Sequence, residues 1–211
     1  PAERPAADGG ATKSPTAVFD FSSTEPSATF ACSLDGAAFT DCGSPKTYTR
    51  LKVGNHTFQV RAAAGGVIDP TPAIFSWSID NTAPKTVITA APDLLTKNAV
   101  VTISFTSTEA GSFKCSLDGQ PFADCTSPFV SGPLEDGKHT FRVRAVDSAG
   151  NMDKTAAKSK TWTVDTKPPS TIITGKPTNP TNSTTATFRF TSEKKNTFRC
   201  QLDSGPIEPC N

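Results

Sequence analysis

The stretch Phe113–Cys125, with the sequence FKCSLDGQPFADC, decides the fold because the chain contains it three times. A close copy, FACSLDGAAFTDC, spans Phe30–Cys42, and a looser one, FRCQLDSGPIEPC, spans Phe198–Cys210. Successive copies begin 83 and 85 positions apart. A period of this length suits a small β-sandwich and is too long for one turn of a solenoid. Each copy therefore predicts a separate domain.

The match between the first two copies continues downstream. The segment LKVGNHTFQVRA at Leu51–Ala62 corresponds to LEDGKHTFRVRA at Leu134–Ala145, and WSID at Trp77–Asp80 corresponds to WTVD at Trp162–Asp165. Apolar and polar residues alternate here, as half-buried strands require because successive side chains point to opposite faces. The sequence therefore predicts an all-β fold. The residues predicted to face the cores are Ala17, Phe19, Phe21, Phe58, Val60, Trp77, Val101, Ile103, Phe105, His139, Phe141, Val143, Ala145, Trp162 and Val164.

The repeat matches predict the domain boundaries. Residues 1–82 and 83–166 are predicted to form two complete repeats, and residues 167–211 part of a third. Pro84 follows the aspartate that ends the first repeat, and the second repeat is followed by prolines in the same way. Proline interrupts sheet pairing and stiffens a link between domains. The third repeat lacks counterparts of Leu134–Val164, so we expect an uncovered apolar face there.

The spaced pattern carries a resemblance to a known family. It consists of Cys-x-Leu-Asp-Gly, Leu-x-x-Gly-x-His-Thr-Phe-x-Val-Arg-Ala, the segment Asp147–Asn151 and Trp-x-x-Asp before a proline. This combination resembles the bacterial-type immunoglobulin-like repeats found in tandem in large secreted and cell-surface proteins, and it covers the chain from about Thr16 onward. The resemblance implies tandem immunoglobulin-like (fibronectin III-like) β-sandwiches, the third one incomplete. It implies less about function, because such repeats serve as spacers, adhesin stalks and accessory modules of secreted enzymes.

The amino-acid composition limits the kinds of partner that we expect for this chain. Lys and Arg number 21 and Asp and Glu number 20, and the basic residues are scattered along the chain. This distribution argues against nucleic acid as a partner. No apolar run approaches the roughly 20 residues that cross a bilayer, so we expect membrane attachment only through an anchor outside this segment. The chain begins at Pro1 without Met, which fits either a processed mature end or a segment of a longer protein.

The six cysteines form three pairs with the same spacing, nine residues between partners: Cys32 with Cys42, Cys115 with Cys125, and Cys200 with Cys210. Zinc sites and redox motifs use closer spacings, so within-repeat disulfides are favoured. A two-residue turn at Asp118-Gly119 places Cys115 opposite Phe122. A bridge to Cys125 then requires a bulge after Phe122, because bridged Cα atoms lie about 4.4 to 6.8 Å apart. Disulfides in small domains predict an oxidising, extracellular or cell-surface location.

The two histidines, His56 and His139, occupy the same repeat position beside an inward-facing phenylalanine. Each complete repeat has only one, so a structural hydrogen bond to the preceding loop is favoured over a metal ligand or general base. The sequence contains no Gly-x-Ser-x-Gly motif, and we expect no catalytic residue and no cofactor.

Two further residue sets have alternative interpretations. The acidic and amide residues near the end of the second repeat could bind calcium, but the first repeat lacks the counterpart of Asp147, and turn capping is favoured. This set comprises Asp147, Asn151, Asp153 and Asp165. The triplets beginning at Asn55 and Asn182 match the N-glycosylation acceptor motif, which applies in a eukaryotic source.

These observations lead to two hypotheses of function. The first is a non-catalytic extracellular segment of a larger cell-surface protein, which mediates adhesion or protein binding and acts as a stiff spacer. Its partner is expected to be a cell-surface or extracellular protein. Residues 46–50 and 129–133 are predicted to be loops, and they differ between the repeats. Tyr48 and Arg50 are of types enriched at binding hot spots, so they are predicted to contact this partner. The alternative is an accessory module of a secreted enzyme that acts on polysaccharide.

Overall fold

The structure is a computed structural model that describes residues 8–194 and 196–210. Residues 1–7, 195 and 211, which belong to the first and third predicted repeats, lie outside the described residues. The chain divides into two compact units, Pro1–Val164 and Asp165–Asn211. The three domain boundaries expected from the sequence stay a prediction.

The first sandwich consists of eight strands. They are β1 (Ala11–Thr12), β2 (Ala17–Phe19), β3 (Thr29–Leu34), β4 (Thr40–Cys42), β5 (Lys46–Tyr48), β6 (Gly54–Ala64), β7 (Val67–Ile68) and β8 (Ala73–Ile79). One sheet has the order β1-β8-β6-β3-β4, with β7 also paired to β6, and β2 and β5 form a second, two-stranded sheet. All pairs are antiparallel except β1 with β8.

The second sandwich has ten strands. They are β9 (Thr86–Ala90), β10 (Leu95–Thr96), β11 (Thr102–Ser107), β12 (Gly111–Leu117), β13 (Ala123–Cys125), β14 (Phe129–Val130), β15 (Gly137–His139), β16 (Phe141–Asp147), β17 (Ala157–Lys158) and β18 (Trp162–Val164). The sheets have the orders β10-β18-β15, β14-β11-β9 and β13-β12-β16-β17.

Each sandwich buries its own core. Alternate residues of β11 and β16 are buried, because the side chains of a strand point alternately to the two faces of its sheet. The two cores share no residue. The first contains Ala17, Phe19, Cys32, Phe58, Val60, Trp77 and Ile79, and the second contains Val101, Ile103, Phe105, Cys115, Phe141, Val143, Trp162 and Val164.

The disulfides join the cysteine pairs expected from the spacing, and each pair has a Cα separation of 5.8 Å. The register expected for the second pair was wrong. Cys115 lies opposite Ala123, not Phe122, and Cys125 lies opposite Phe113. The extra residue is accommodated in the irregular stretch that follows the turn, before β13 begins, so no bulge after Phe122 is needed. The bridge therefore runs diagonally across the ladder.

The second compact unit, Asp165–Asn211, carries the third copy of the repeated stretch and is called the third unit below. Its described residues form four strands. They are β19 (Thr171–Gly175), β20 (Arg189–Ser192), β21 (Phe198–Cys200) and β22 (Glu208–Cys210). The strands pair as β19 with β20 and β21 with β22, both antiparallel. The fold class expected from the sequence is thus confirmed: the described residues form an all-β fold of immunoglobulin-like sandwiches.

Candidate functional site

An Asp–His corner connects the turn after β3 to the start of β6 in the first sandwich. The Nδ1 atom of His56 lies 2.8 Å from Oδ2 of Asp35, and its Nε2 atom lies 2.7 Å from the carbonyl oxygen of Lys52. The other oxygen of Asp35 accepts a hydrogen bond of 2.9 Å from the backbone N–H of Thr57. One carboxylate therefore holds both the imidazole and the backbone of the entering strand.

The second sandwich repeats this corner. The Nδ1 atom of His139 lies 2.7 Å from Oδ2 of Asp118, and its Nε2 atom lies 2.8 Å from the carbonyl oxygen of Glu135. Asp118 also accepts a hydrogen bond of 2.8 Å from the N–H of Thr140. Both histidines thus make the hydrogen bond to the preceding loop that the sequence predicts.

The corner favours the charged form of each histidine. Both ring nitrogens of His56 face oxygen acceptors, and only an imidazolium ring donates from both. Burial lowers the pKa of His56, but the hydrogen bonds to Lys52 and Asp35 outweigh burial and raise this pKa above its ordinary value. In the second sandwich, burial likewise lowers the pKa of His139, while Asp118 and then the Glu135 carbonyl raise it. The net direction is upward for both histidines.

The aspartate of each corner was missed by the sequence prediction. Asp35 and Asp118 have positive φ angles of 53° and 51°, a region that aspartate tolerates better than most residues. They were interpreted only as turn residues. The signal that could have found them is the equal separation of 21 residues between aspartate and histidine in both repeats.

Direct contacts join the first sandwich to the second. The side-chain amide of Asn151 donates a hydrogen bond of 2.8 Å to the carbonyl oxygen of Asp80, and Nζ of Lys13 donates one of 2.8 Å to the carbonyl oxygen of Gly150. Pro84, in the link between the sandwiches, is fully buried. We call Lys13, Asp80, Pro84, Gly150 and Asn151 the junction.

Three carboxylates meet beside the junction. Ligand atoms of Asp80, Glu109 and Asp147 all lie within 4.8 Å of one another, and Asp147 is buried. Oxygen ligands of this kind suit a hard cation such as calcium. Asp147 accepts hydrogen bonds of 2.8 and 2.9 Å from the backbone and side chain of Asn151, which is the turn capping favoured by the sequence.

The other two residues that were considered as alternative calcium ligands lie elsewhere. Asp153 accepts hydrogen bonds from the N–H groups of Thr86 and Thr155. Burial raises the pKa of Asp153, but these hydrogen bonds and the Arg144 guanidinium outweigh burial and lower the pKa. Asp165 belongs to the third unit, where Nζ of Lys194 lies 2.5 Å from its carboxylate.

Tyr48 and Arg50 occupy different surroundings. Residues 46–48 form strand β5, so the assignment of residues 46–50 to a loop was wrong in this part. The Tyr48 ring is half-buried and packs edge-on against Phe19 and Phe58, at centroid distances of 6.3 and 6.0 Å. Burial raises the pKa of the Tyr48 hydroxyl, and the charge of Asp35 adds to this rise. Arg50 is exposed, with a positive φ of 59°, two residues after the end of the strand.

The two predicted glycosylation sites are exposed, and the two tryptophans are buried. Asn55 and Asn182 are both exposed, the first on strand β6 and the second in an irregular segment. Trp77 and Trp162 are 3% and 1% exposed, so neither offers a flat platform for a sugar ring. Among the described residues, none forms a helix long and apolar enough to span a membrane.

Comparisons with known proteins identify similar structures but no matching family. No protein-family model and no curated protein matches the sequence. Among solved structures, the chain is similar to the fibronectin(III)-like modules of Clostridium thermocellum CbhA, with 16% sequence identity and a TM-score of 0.46. The match covers 75% of this chain and 90% of that chain. At this identity and TM-score, the similarity carries no argument about function.

Proposed function

We propose that this chain is a non-catalytic, extracellular segment of immunoglobulin-like repeats in a larger cell-surface protein, where it acts as a stiff spacer and binds a partner protein in adhesion. The observation that carries the proposal is the junction, where each sandwich contributes a side chain that donates a hydrogen bond to the backbone of the other. Flexibly linked domains would leave these backbone groups to water.

The junction supports stiffness for a physical reason. Rotation of one sandwich against the other breaks the bonds from Lys13 and Asn151 and exposes Pro84 to water. The disulfides support the extracellular location, because such bonds persist in oxidising compartments.

Fluorescence energy transfer between dyes on exposed positions of the two sandwiches tests the spacer. We expect a single narrow distance distribution for the natural chain and a broader one for the double variant Lys13→Ala/Asn151→Ala. The control is Lys97→Ala/Asn98→Ala, which changes the same residue types at exposed positions of the second sandwich. Equal distributions in all three chains would remove the basis of the spacer proposal.

The partner contact is proposed at Arg50 and the exposed edge of Tyr48. Arg50→Glu reverses the charge of an exposed side chain, and we expect at least about a tenfold loss of binding to cells or purified partner. Lys97→Glu is the matched control, because it makes the same charge reversal at an exposed position of the second sandwich. Undiminished binding by Arg50→Glu would exclude this contact and leave the spacer role intact.

A further inference from the structure

A group of basic residues lies on the outer face of the sheet β13-β12-β16-β17 in the second sandwich. The inward-facing residues of β16 are buried, so Arg142 and Arg144 lie on the outer face of this strand. Lys114 is directly opposite Arg144, Lys158 is directly opposite Arg142, and directly opposite residues share a face. These residues are scattered along the sequence, and the sheet brings them together. We call Lys114, Arg142, Arg144 and Lys158 the basic face.

The first sandwich shows that the fold does not require these charges. At the corresponding positions of its sheet, Ala31 lies opposite Arg61, and Gln59 lies opposite Ile74. Only Arg61 is charged among these residues. Like charges directly opposite each other destabilise a sheet. The additional cations of the second sandwich are therefore unfavourable for folding, which points to a role in binding.

The charges of the basic face are only partly neutralised. Nζ of Lys114 lies 2.7 Å from Oδ1 of Asp124, but the side chain of Asp124 is 83% exposed, and water weakens such a pair. Among the described residues, no carboxylate forms an ion pair with Arg142 or Lys158. Both residues are exposed. Two directly opposite cations are therefore open to an anion from solution.

Apolar side chains lie beside these cations. The guanidinium carbon of Arg144 lies 5.0 Å from the centre of the Phe122 ring, and its Nη1 atom lies 4.0 Å from Sδ of Met152. Phe122 and Met152 are 36% and 38% exposed. Asp153 offsets part of the Arg144 charge. The contact with the ring holds the guanidinium on the face and leaves apolar surface next to it.

The ligand that fits this face is a polyanion that needs no backbone pairing. At Arg142, strand β16 is paired on both edges, with β12 and with β17, so a peptide strand finds no free N–H or C=O group there. The Cα atoms of the four basic residues are about 5 Å apart across the strands and about 7 Å apart along them, which suits a chain with repeated negative groups. Guanidinium groups bind oxyanions with two parallel hydrogen bonds, and the C–H groups of a sugar ring pack on exposed apolar side chains.

We propose that the basic face binds an anionic polysaccharide through its sulfate or carboxylate groups. Arg142 and Lys158 bind these groups directly, and Phe122 contacts a sugar ring. This surface is separate from the partner contact at Arg50 and from the junction, so either proposal can fail without the other.

The first test measures binding of the full 211-residue chain to dextran sulfate and to polygalacturonate by calorimetry. We expect a Kd below about 0.1 mM at low salt for at least one of them, and weaker binding as salt rises because binding releases counterions. Uncharged dextran should not bind. Poly-L-glutamate and double-stranded DNA should bind at least about tenfold more weakly than the better polysaccharide. Binding of neither polysaccharide, or equally tight binding of dextran, poly-L-glutamate or DNA, would overturn the proposal.

A double variant places the binding on the basic face. Arg142→Gln/Lys158→Ile introduces the residues that the first sandwich has at these positions, so the fold should tolerate it. We expect binding to weaken at least about tenfold, with a shallower dependence on salt, and the melting temperature to stay equal or rise. The control Lys52→Gln/Lys97→Gln removes two charges at exposed positions outside the strands and should bind like the natural chain. Equal losses in both variants would mean that net charge alone causes the binding, and a fall in melting temperature of the first variant would contradict a role outside folding.

A gain of affinity provides a test that a damaged fold cannot imitate. Asp124→Asn removes the carboxylate beside Lys114, and we expect binding to tighten about threefold at low salt. Asp41→Asn is the matched control, because Asp41 occupies the corresponding position of the first sandwich, opposite Ala31. It should leave binding unchanged. The absence of a gain in Asp124→Asn, or the same gain in both variants, would remove the basic face as the binding surface.

Discussion

The first and second sandwiches share their Asp–His corner but fill the core beside it differently. Three pairs of corresponding positions differ, namely Phe19 and Ile103, Lys46 and Phe129, and Tyr48 and Ser131. In the first sandwich the edge-strand ring belongs to Tyr48, 6.0 Å from Phe58, and in the second to Phe129, 4.9 Å from Phe141. The ring has moved by two residues, which keeps it on the same face of the strand.

This difference shows what each position contributes. The corner and the central phenylalanine hold the turn, the entering strand and the core together, whereas the edge strand can supply its ring from either of two positions. A divergent residue is therefore not by itself a sign of a binding surface. Tyr48 differs from Ser131 partly because Lys46 leaves the first core without the ring that Phe129 provides.

The largest expected effect is a loss of stability on replacing the core phenylalanine that the two sandwiches share. Phe141→Ala removes a side chain that is 0% exposed, and we expect the second sandwich to lose about 3 to 5 kcal/mol of unfolding free energy. The first sandwich should keep its own transition, because the two cores share no residue. Calorimetry should show two separated transitions, and Phe58→Ala should exchange their order. A single transition that moves as a whole in both variants would contradict separate domains.

A smaller effect is expected when the edge strand of the first sandwich is given the residues of the second. In Lys46→Phe/Tyr48→Ser, the new ring lies directly opposite Phe19 and the old ring is lost. We expect the unfolding free energy, measured by urea unfolding, to fall by about 2 kcal/mol, because the new ring overpacks against a large neighbour.

A third substitution sharpens this test. Phe19→Ile added to the double variant gives all three compared positions the residues of the second sandwich. This triple variant should recover at least about 1 kcal/mol of unfolding free energy. The same Phe19→Ile change in the natural chain should destabilise it, because the stacked contact of 4.0 Å with Phe58 is lost. Additive effects of the three substitutions would show that the two sets are not alternative packings.

The Asp–His corners should make stability depend on pH. The folded-state pKa of each histidine is raised, so the stabilisation is fully present below the ordinary histidine pKa of about 6.5 and is lost as pH rises through the folded value. We expect His56→Ala/His139→Ala to cost about 1 to 3 kcal/mol per corner at pH 5.5 and less at pH 8.5. Melting temperatures of both chains across this range measure the difference. A constant difference would mean that the charged form has no special role.

The smallest expected effect concerns the three carboxylates beside the junction. One of them, Asp147, has no acidic equivalent beside the corresponding Gly65-Gly66 turn of the first sandwich. Glu109→Gln removes one of three negative groups within 4.8 Å, and we expect a gain of about 0.5 kcal/mol at low salt in the presence of a chelator. The gain should fade at high salt. Glu25→Gln, at an exposed position of the first sandwich, is the control of equal net charge. An identical response in both variants would exclude local repulsion.

The sequence was informative wherever one physical pattern repeats along the chain. The fold class and the disulfide partners follow from the three copies of the Phe113–Cys125 stretch, and most inward-facing residues follow from the alternation in the strands outside it, because alternation and constant spacing are local properties. The loop-directed hydrogen bonds of His56 and His139 were also expected. The register of Cys115 was wrong, because the turn sequence does not show where pairing resumes after it.

Only the tertiary structure decided which distant groups meet. The bond from His139 to Asp118 joins residues 21 positions apart, and the grouping of Asp80, Glu109 and Asp147 joins two sandwiches. Local alternation indicates which face of a strand is buried, but it does not indicate which turn lies against that strand. That choice depends on sheet order and on the contact between domains, which are properties of the folded chain. The sequence by itself determined the repeats and their cores, and the packing of strands and domains determined the corners and the junction.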